Sequence, residues 1–432
     1  MEKEYIVTLK KGIDPNTFRQ DMVADNMLPY VPSKAVTVAN ERPASIRNTH
    51  YMLTDEEATQ LQNDPRVDAV ELRPDLRDDI IIGDRATQTG NFDKSTSASG
   101  DNINWGLRRM SALSNPYNSS GAVIGGYTHT LTGTGVDFIV HDSGIQADHP
   151  EFQDSFGNSR VQEIDWYRAQ SVVSGTLPTG FYTDYDGHGT HVAGIAAGKT
   201  YGWAKNSKIY SIKVAGLQGS SDPNSGMPIS DCFDIIKEWH KTKTADVLTG
   251  VKRPTVVNMS WGYFSRYLNI TGGNYRGTDW TGTSKVTAYG MTGSFDGAGY
   301  RHPVRIASVD ADLEELIEAG VIVCIAAGNK YHKIDVEGGA DYNNYYSTTF
   351  SGNKYYHRGS SPYSSNAIMV GAVDSELDTD SNEQIAEFSE KGPGVDVYAP
   401  GVNIFSATSN TCLLYTSPSP RDMRRSRMPS SA

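Results

Sequence analysis

The stretch Asp186-Gly187-His188-Gly189-Thr190-His191-Val192-Ala193-Gly194 decides how this chain is read. A histidine between two glycines, opening a run of small apolar residues, describes a base exposed at the start of a buried helix. Gly187 and Gly189 let the backbone approach a substrate where a side chain would block it. Val192, Ala193, Ile195, Ala196 and Ala197 suit a helix lying against a sheet, and Gly198 stops it. A single histidine in a Gly-rich turn is ordinarily a solvated side chain, but an ordered run of this kind asks for more.

Upstream, Val136-Asp137-Phe138-Ile139-Val140 is the apolar run of a strand buried on both faces, and it ends in His141-Asp142-Ser143-Gly144. An acid at the C-terminal end of a parallel strand faces the crevice where α/β folds do their chemistry. Asp142 is therefore the candidate partner of His188. His141, Asp148 and His149 lack metal-ligand spacing and read as loop or packing residues. Strands over Ile209–Val214, Thr255–Met259, Val321–Ala326 and Ala367–Val373 follow at βαβ intervals. Helices are expected over Ser230–Thr244 and Pro303–Ala319, the second with an apolar stripe through Ile306, Val309, Leu313, Leu316 and Ile317. The fold class is α/β, a mostly parallel sheet with helices on both faces, preceded by a small α+β ferredoxin-like unit.

The histidine stretch resembles that of subtilisin-like serine proteases, and the resemblance extends over nearly all of residues 1–408. It implies that Asp142 orients His188, which acts as base and then acid. Ala326-Ala327-Gly328-Asn329 is similar to the family's oxyanion segment, with Asn329 as donor and Ala327 and Gly328 beside the substrate. Val256-Val257-Asn258-Met259-Ser260-Trp261-Gly262 resembles its substrate-binding strand, where Ser260, Trp261 and Gly262 pair with an extended peptide. Trp261 stands where a smaller aliphatic residue is usual, so it either reshapes the subsites or packs inward. Phe388 to Gly401 and Ile404-Phe405-Ser406-Ala407-Thr408 continue the likeness.

The family's Gly-Thr-Ser-Met-Ala-x-Pro segment, which carries the nucleophile, does not follow. The sequence runs instead Cys412-Leu413-Leu414-Tyr415-Thr416-Ser417-Pro418-Ser419-Pro420. Ser417 precedes a proline and lacks a Gly-rich elbow. Ser284, in Gly282-Thr283-Ser284, comes before Asn329 and opens no helix of small residues. Two readings follow: a serine endopeptidase precursor truncated before its catalytic serine, or an inactive subtilase-like scaffold that binds peptides.

Residues 1–75 read as βαββαβ, with strands at Tyr5–Leu9, Ala35–Val38, Arg47–Leu53 and Val67–Leu72. Helices begin at Pro15 and, with a Thr54/Glu57 capping box, after Thr54. Ahead of a protease domain this order is similar to the family's inhibitory propeptide. Residues 76–100 then form a linker suited to maturation cleavage, with Ile80-Ile81-Ile82 as a short strand or cleft-docking segment. Residues 101–411 are the catalytic domain, and 412–432 a Pro/Ser/Arg-rich tail that will not pack. Tyr263 to Tyr300 is a surface excursion near the cleft.

The formal net charge of −12 argues against nucleic acid or an anionic membrane as partner, and Arg421, Arg424, Arg425 and Arg427 make the body more acidic still. No apolar run approaches the roughly 20 residues of a membrane span, and the N-terminus has no secretory pattern, although the family is usually secreted. Cys232, Cys324 and Cys412 are too few and scattered for a disulfide framework, with Cys324 expected in the core. The expected partners are a polypeptide substrate and the chain's own propeptide as intramolecular inhibitor, in a monomer. No cofactor is required. No metal ligands are assigned, and structural calcium is left without a site.

Overall fold

A computed structural model describes residues 1–409 apart from 26, 83–101, 112, 114–121, 125–128, 166–171, 173–177, 215–221, 223–225, 248, 268, 292–300, 350–351, 403 and 405. The tail at 412–432 and most of the 76–100 linker lie outside the described residues, as does Phe405.

In the first unit, strands β1 (Lys3–Leu9), β2 (Val38–Asn40), β3 (Asn48–Leu53) and β4 (Val67–Leu72) form an antiparallel sheet in the order β2-β3-β1-β4. Helices α1 (Pro15–Val23) and α2 (Asp55–Leu61) cover it. Asp14 caps α1 through the N–H groups of Asn16 and Thr17. The capping box at α2 forms as its spacing requires: Thr54 Oγ1 accepts from Glu57 N, and Glu57 Oε2 accepts from Thr54 N. The second strand begins at Val38 and not at Ala35, because Val36 N–H is drawn to Met22 O at the end of α1.

The larger sheet runs β20 (Glu383–Ile385), β19 (Ile368–Leu377), β16 (Ile322–Ala326), β11 (Thr255–Met259), β8 (Asp137–Asp142), β10 (Lys208–Lys213) and β9 (Val161–Glu163), and β21 (Val397–Pro400) also pairs with β19. Every pairing is parallel except that of β19 with β20. β8 is buried along its whole length. Successive side chains of a strand point to opposite faces, and β8 feeds two separate cores. Phe138 and Val140 pack with Ala193 and Ala197 of α4 (His188–Ala197). Ile139 joins the large cluster with Phe233 and Ile236 of α5 (Ile229–Thr242) and Leu313 and Leu316 of α6 (Ala307–Glu318). Helices therefore cover both faces. Ile195 departs from the expectation: it is exposed, because the side of α4 against the sheet is filled by Ala193 and Ala197.

α6 starts at Ala307, and Gly320, at φ 97°, ends it. Pro303 is not helical; it closes β15 (Arg301–Pro303). The described part of the excursion after Gly262 forms strands. β12 (Tyr263–Arg266) lies between β15 and β5 (Ile81–Ile82) in an antiparallel sheet. β13 (Ile270–Tyr275), β14 (Thr278–Thr281), β17 (Tyr345–Thr348) and β18 (Asn353–Tyr355) form another, with its own core of Trp280, Met291, Tyr346 and Tyr356. β6 (Asn102–Asn104) pairs with β7 (Ala122–Ile124) and leads into α3 (Trp105–Met110), where Trp105 Nε1 donates to Val402 O.

The first unit is fixed to α5 and α6 by charges buried at their contact. The Arg42 guanidinium, 1% exposed, donates to Asp234 Oδ2 at 3.0 Å and to both Asp312 oxygens at 3.1 and 2.9 Å. Glu315 accepts from Ser45 Oγ, the N–H groups of Ile46 and Arg47, and Lys237 Nζ. Removing one member of a buried pair strands the others and costs about 3–5 kcal/mol. Arg42→Ala should therefore release the first unit at markedly lower urea than the unaltered chain. An unchanged midpoint would show that these charges do not hold the contact.

Candidate active site

Asp142 ends β8 and is 1% exposed. Its Oδ1 accepts from Ser143 N at 2.7 Å and lies 2.8 Å from His188 Nδ1. His188 is the first residue of α4, with Gly187 before it at φ 94°. That left-handed backbone is where a glycine is needed. Gly189 serves a different purpose from the one expected: a Cβ there would stand 2.1 Å from Gly144 O. The close approach is between the helix start and the chain's own strand end, not a substrate.

A second carboxylate organises this contact. Asp184, fully buried, accepts at Oδ1 from Ser143 Oγ (2.9 Å) and Gly187 N (2.8 Å) and at Oδ2 from Thr190 N (2.9 Å) and Thr190 Oγ1 (2.6 Å). Ser143 Oγ in turn accepts from Gly189 N. The residue after Asp142 and the residues flanking His188 are thus tied to one group. Sequence reasoning began its motif at Asp186 and missed Asp184. An Asp two and three residues before backbone N–H groups in a Gly-containing turn is the signal that points to it.

Burial alone would lower the His188 pKa, but the charge and hydrogen bond of Asp142 outweigh it and raise the ring to about 9. His191, half-buried, is lowered to about 4 by desolvation and by the charge of His188. Burial lowers His141 to about 3; it packs edge-on to Phe233 and Trp261, and neither ring nitrogen has a hydrogen-bond partner among the described residues. His149 Nδ1 accepts from Glu151 N, and Asp148 is exposed. No three His, Cys, Asp or Glu side chains among the described residues are arranged to hold a metal ion.

The other candidate residues follow the C-terminal ends of β11, which neighbours β8, and of β16, which lies beyond β11. Ser260 to Gly262 succeed β11, and Ala327 to Asn329 succeed β16. Together they line one cleft. Of the two readings of Trp261, the structure gives the inward one: it is 2% exposed and its Nε1 donates to His141 O. Glu390, which sequence reasoning did not single out, supports the Asn329 turn. Its carboxylate accepts from the N–H groups of Lys330 and His332, and its side chain fills the space beside Gly328. Neither the backbone nor the side-chain N–H donors of Asn329 are engaged among the described residues. Ser284 is exposed and takes no part in the site. Cys324 is only half-buried, whereas Cys232 is the core thiol.

The model of the Subtilase family matches residues 133–429. This chain belongs to the subtilase family. The subtilase-type proteinase RRT12 of Saccharomyces cerevisiae is 30% identical over 285 residues, which are 65% of this chain and 39% of that protein. A cuticle-degrading serine protease of Arthrobotrys oligospora is 27% identical over 94% of this chain and 73% of its own length. An extracellular serine proteinase of a Thermus species is 26% identical over 93% and 70%. The chain thus spans less than half of the first of these relatives. A solved cold adapted subtilisin-like serine proteinase superposes over 74% of this chain and 80% of its own, with a TM-score of 0.44 and 22% identity. No helix among the described residues is long and apolar enough to cross a membrane.

The His188 value sets a titration test. With the folded pKa near 9 against 6.5 ordinarily, the ion pair's stabilisation is complete below about 6.5 and lost as pH rises through about 9. NMR should find His188 titrating near 9 and, in Asp142→Asn, well below that, since burial is then opposed only by the more distant charges of Asp186 and Asp184. A ring that titrates alike in both proteins would contradict the pairing.

Proposed function

We propose that this subtilase is a precursor of a secreted serine endopeptidase working by a Ser-His-Asp mechanism. The observation that carries the reading is the 2.8 Å contact of His188 Nδ1 with buried Asp142, while Nε2 has no partner among the described residues. In the neutral ring, which prevails above about pH 9, that arrangement leaves the lone pair on Nε2, so the ring can take a proton from an attacking hydroxyl and return it to the leaving amine. Asp142 stabilises the imidazolium formed on the way. The unengaged donors of Asn329 suit the oxyanion of the tetrahedral intermediate. Ser260 to Gly262 offer main-chain groups to an extended peptide. The chemistry needs no cofactor.

Residues 1–75 are read as the inhibitor of this site, with maturation within 76–100. Arg42 and Glu315 tie these residues to α5 and α6. The sequence carries no Gly-Thr-Ser motif of the family, since Cys412 to Pro420 stand where the resemblance places it. That observation favours a second reading, a peptide-binding scaffold without turnover.

Losing the serine or the histidine of such a triad costs about 10⁶ in kcat, a figure drawn from subtilisin itself. The chain of residues 1–432 should show no hydrolysis of casein at ordinary protease rates. With the family's Gly-Thr-Ser-Met-Ala-x-Pro segment placed after Thr408, it should hydrolyse casein, and His188→Ala should abolish that turnover. Restored chain without activity would favour the scaffold, and activity independent of His188 would exclude the mechanism.

A further inference from the structure

β12 continues directly from Ser260 to Gly262 and is the middle strand of its sheet, with β15 on one edge. The chain's own residues fill the other edge: Ile82 lies opposite Tyr263 and Ile81 opposite Phe264, antiparallel. Residues before Ile81 therefore lie progressively farther from the catalytic rim. There the contacts become specific to side chains. Ser265 Oγ donates to Asp79 O at 2.8 Å, and Lys354 Nζ of β18 donates to Asp79 Oδ2 at 3.0 Å. Arg77 Nε and Nη2 hold the same carboxylate, and Ile80 is buried within the main core cluster. Arg77 first, and Lys354 after it, keep the exposed Asp79 carboxylate well below the usual carboxylate range, outweighing its partial desolvation.

The surroundings are cationic although the chain carries a formal charge of −12. The Arg301 guanidinium sits 4.5 Å from the Phe264 ring centroid and the Lys330 ammonium 5.2 Å from it. Lys354 lies on β18 of the four-stranded sheet, to which the excursion contributes β13 and β14, so this contact depends on structure outside the parallel sheet.

We infer that the β12 edge is a distal recognition site for peptide substrates. Once residues 77–82 leave it, the upstream part of a substrate adds there as a strand, and Lys354 selects a carboxylate side chain at the place of Asp79. The word substrate rests on the protease reading; the site and its preference rest on the segment now seated there.

Binding tests this without turnover. In the full chain, Asp79→Ala with Ile80→Asp unseats the resident segment, and circular dichroism and thermal unfolding report whether the fold survives. The probe is a fluorescent peptide copying residues 75–82, compared with the same peptide carrying Asp79→Lys. The copy should bind at least tenfold tighter, and adding Lys354→Glu to the protein should invert the order. Equal binding, no binding, or an order indifferent to Lys354→Glu overturns the proposal. Should the unseated chain fail to fold, hydrogen exchange in the otherwise unaltered chain decides. Lys354→Glu alone should speed exchange at Tyr263 to Ser265, and adding Asp79→Lys should restore protection; the absence of either change overturns the site. A nucleophile-restored chain without proteolysis would retire the protease reading and leave this affinity ratio standing.

Discussion

The structure depends on one backbone approach, that of the first turn of α4 to the end of β8. Gly189 lies so close to Gly144 O that no side chain fits between them. Asp184 holds the two segments together through five donors, counting Asp186 N with those of Ser143, Gly187 and Thr190. A buried carboxylate is costly unless its oxygens are satisfied, and here satisfying them aligns Asp142 with His188. The pairing is thus a consequence of how strand and helix meet, not an isolated contact between two side chains.

The same logic recurs at the neighbouring strand ends. Gly328, at φ 116°, turns the chain after β16, and Glu390 fills the space beside it and binds the N–H groups that follow. Asn329 is left with its donors unengaged while the turn carrying it is fixed from behind. Preorganised donors do not have to reorient when charge develops. Trp261 contributes similarly: its indole is anchored to His141 O beneath the sheet end, and this steadies the segment whose main chain borders the cleft.

Two further bodies border that rim. The first unit meets α5 and α6 through buried ion pairs, and two strands of the excursion after Gly262 join β17 and β18 in a sheet whose Lys354 reaches Asp79. Residues 77–82 connect them, running from the first unit along β12 toward the cleft. Charge buried in this way is held by several partners at once, which favours one geometry over many alternatives.

Much of this was legible in the chain itself. The Asp142 and His188 stretches carry their meaning locally, because the strand run, the glycine positions and the small-residue helix must all be adjacent in sequence to work. The βαββαβ order and the Thr54/Glu57 box are local for the same reason. What only the tertiary structure decided involves residues far apart in the chain: Asp184 as the clamp, Glu390 behind Gly328, Arg42 between Asp234 and Asp312, and Lys354 on Asp79. Each is a buried or half-buried charge whose role is set by partners from other elements, and no periodicity or spacing records such a partner. Pro303 and Ile195 were misread for the same cause: strand pairing and helix packing overruled what their neighbours in sequence suggested.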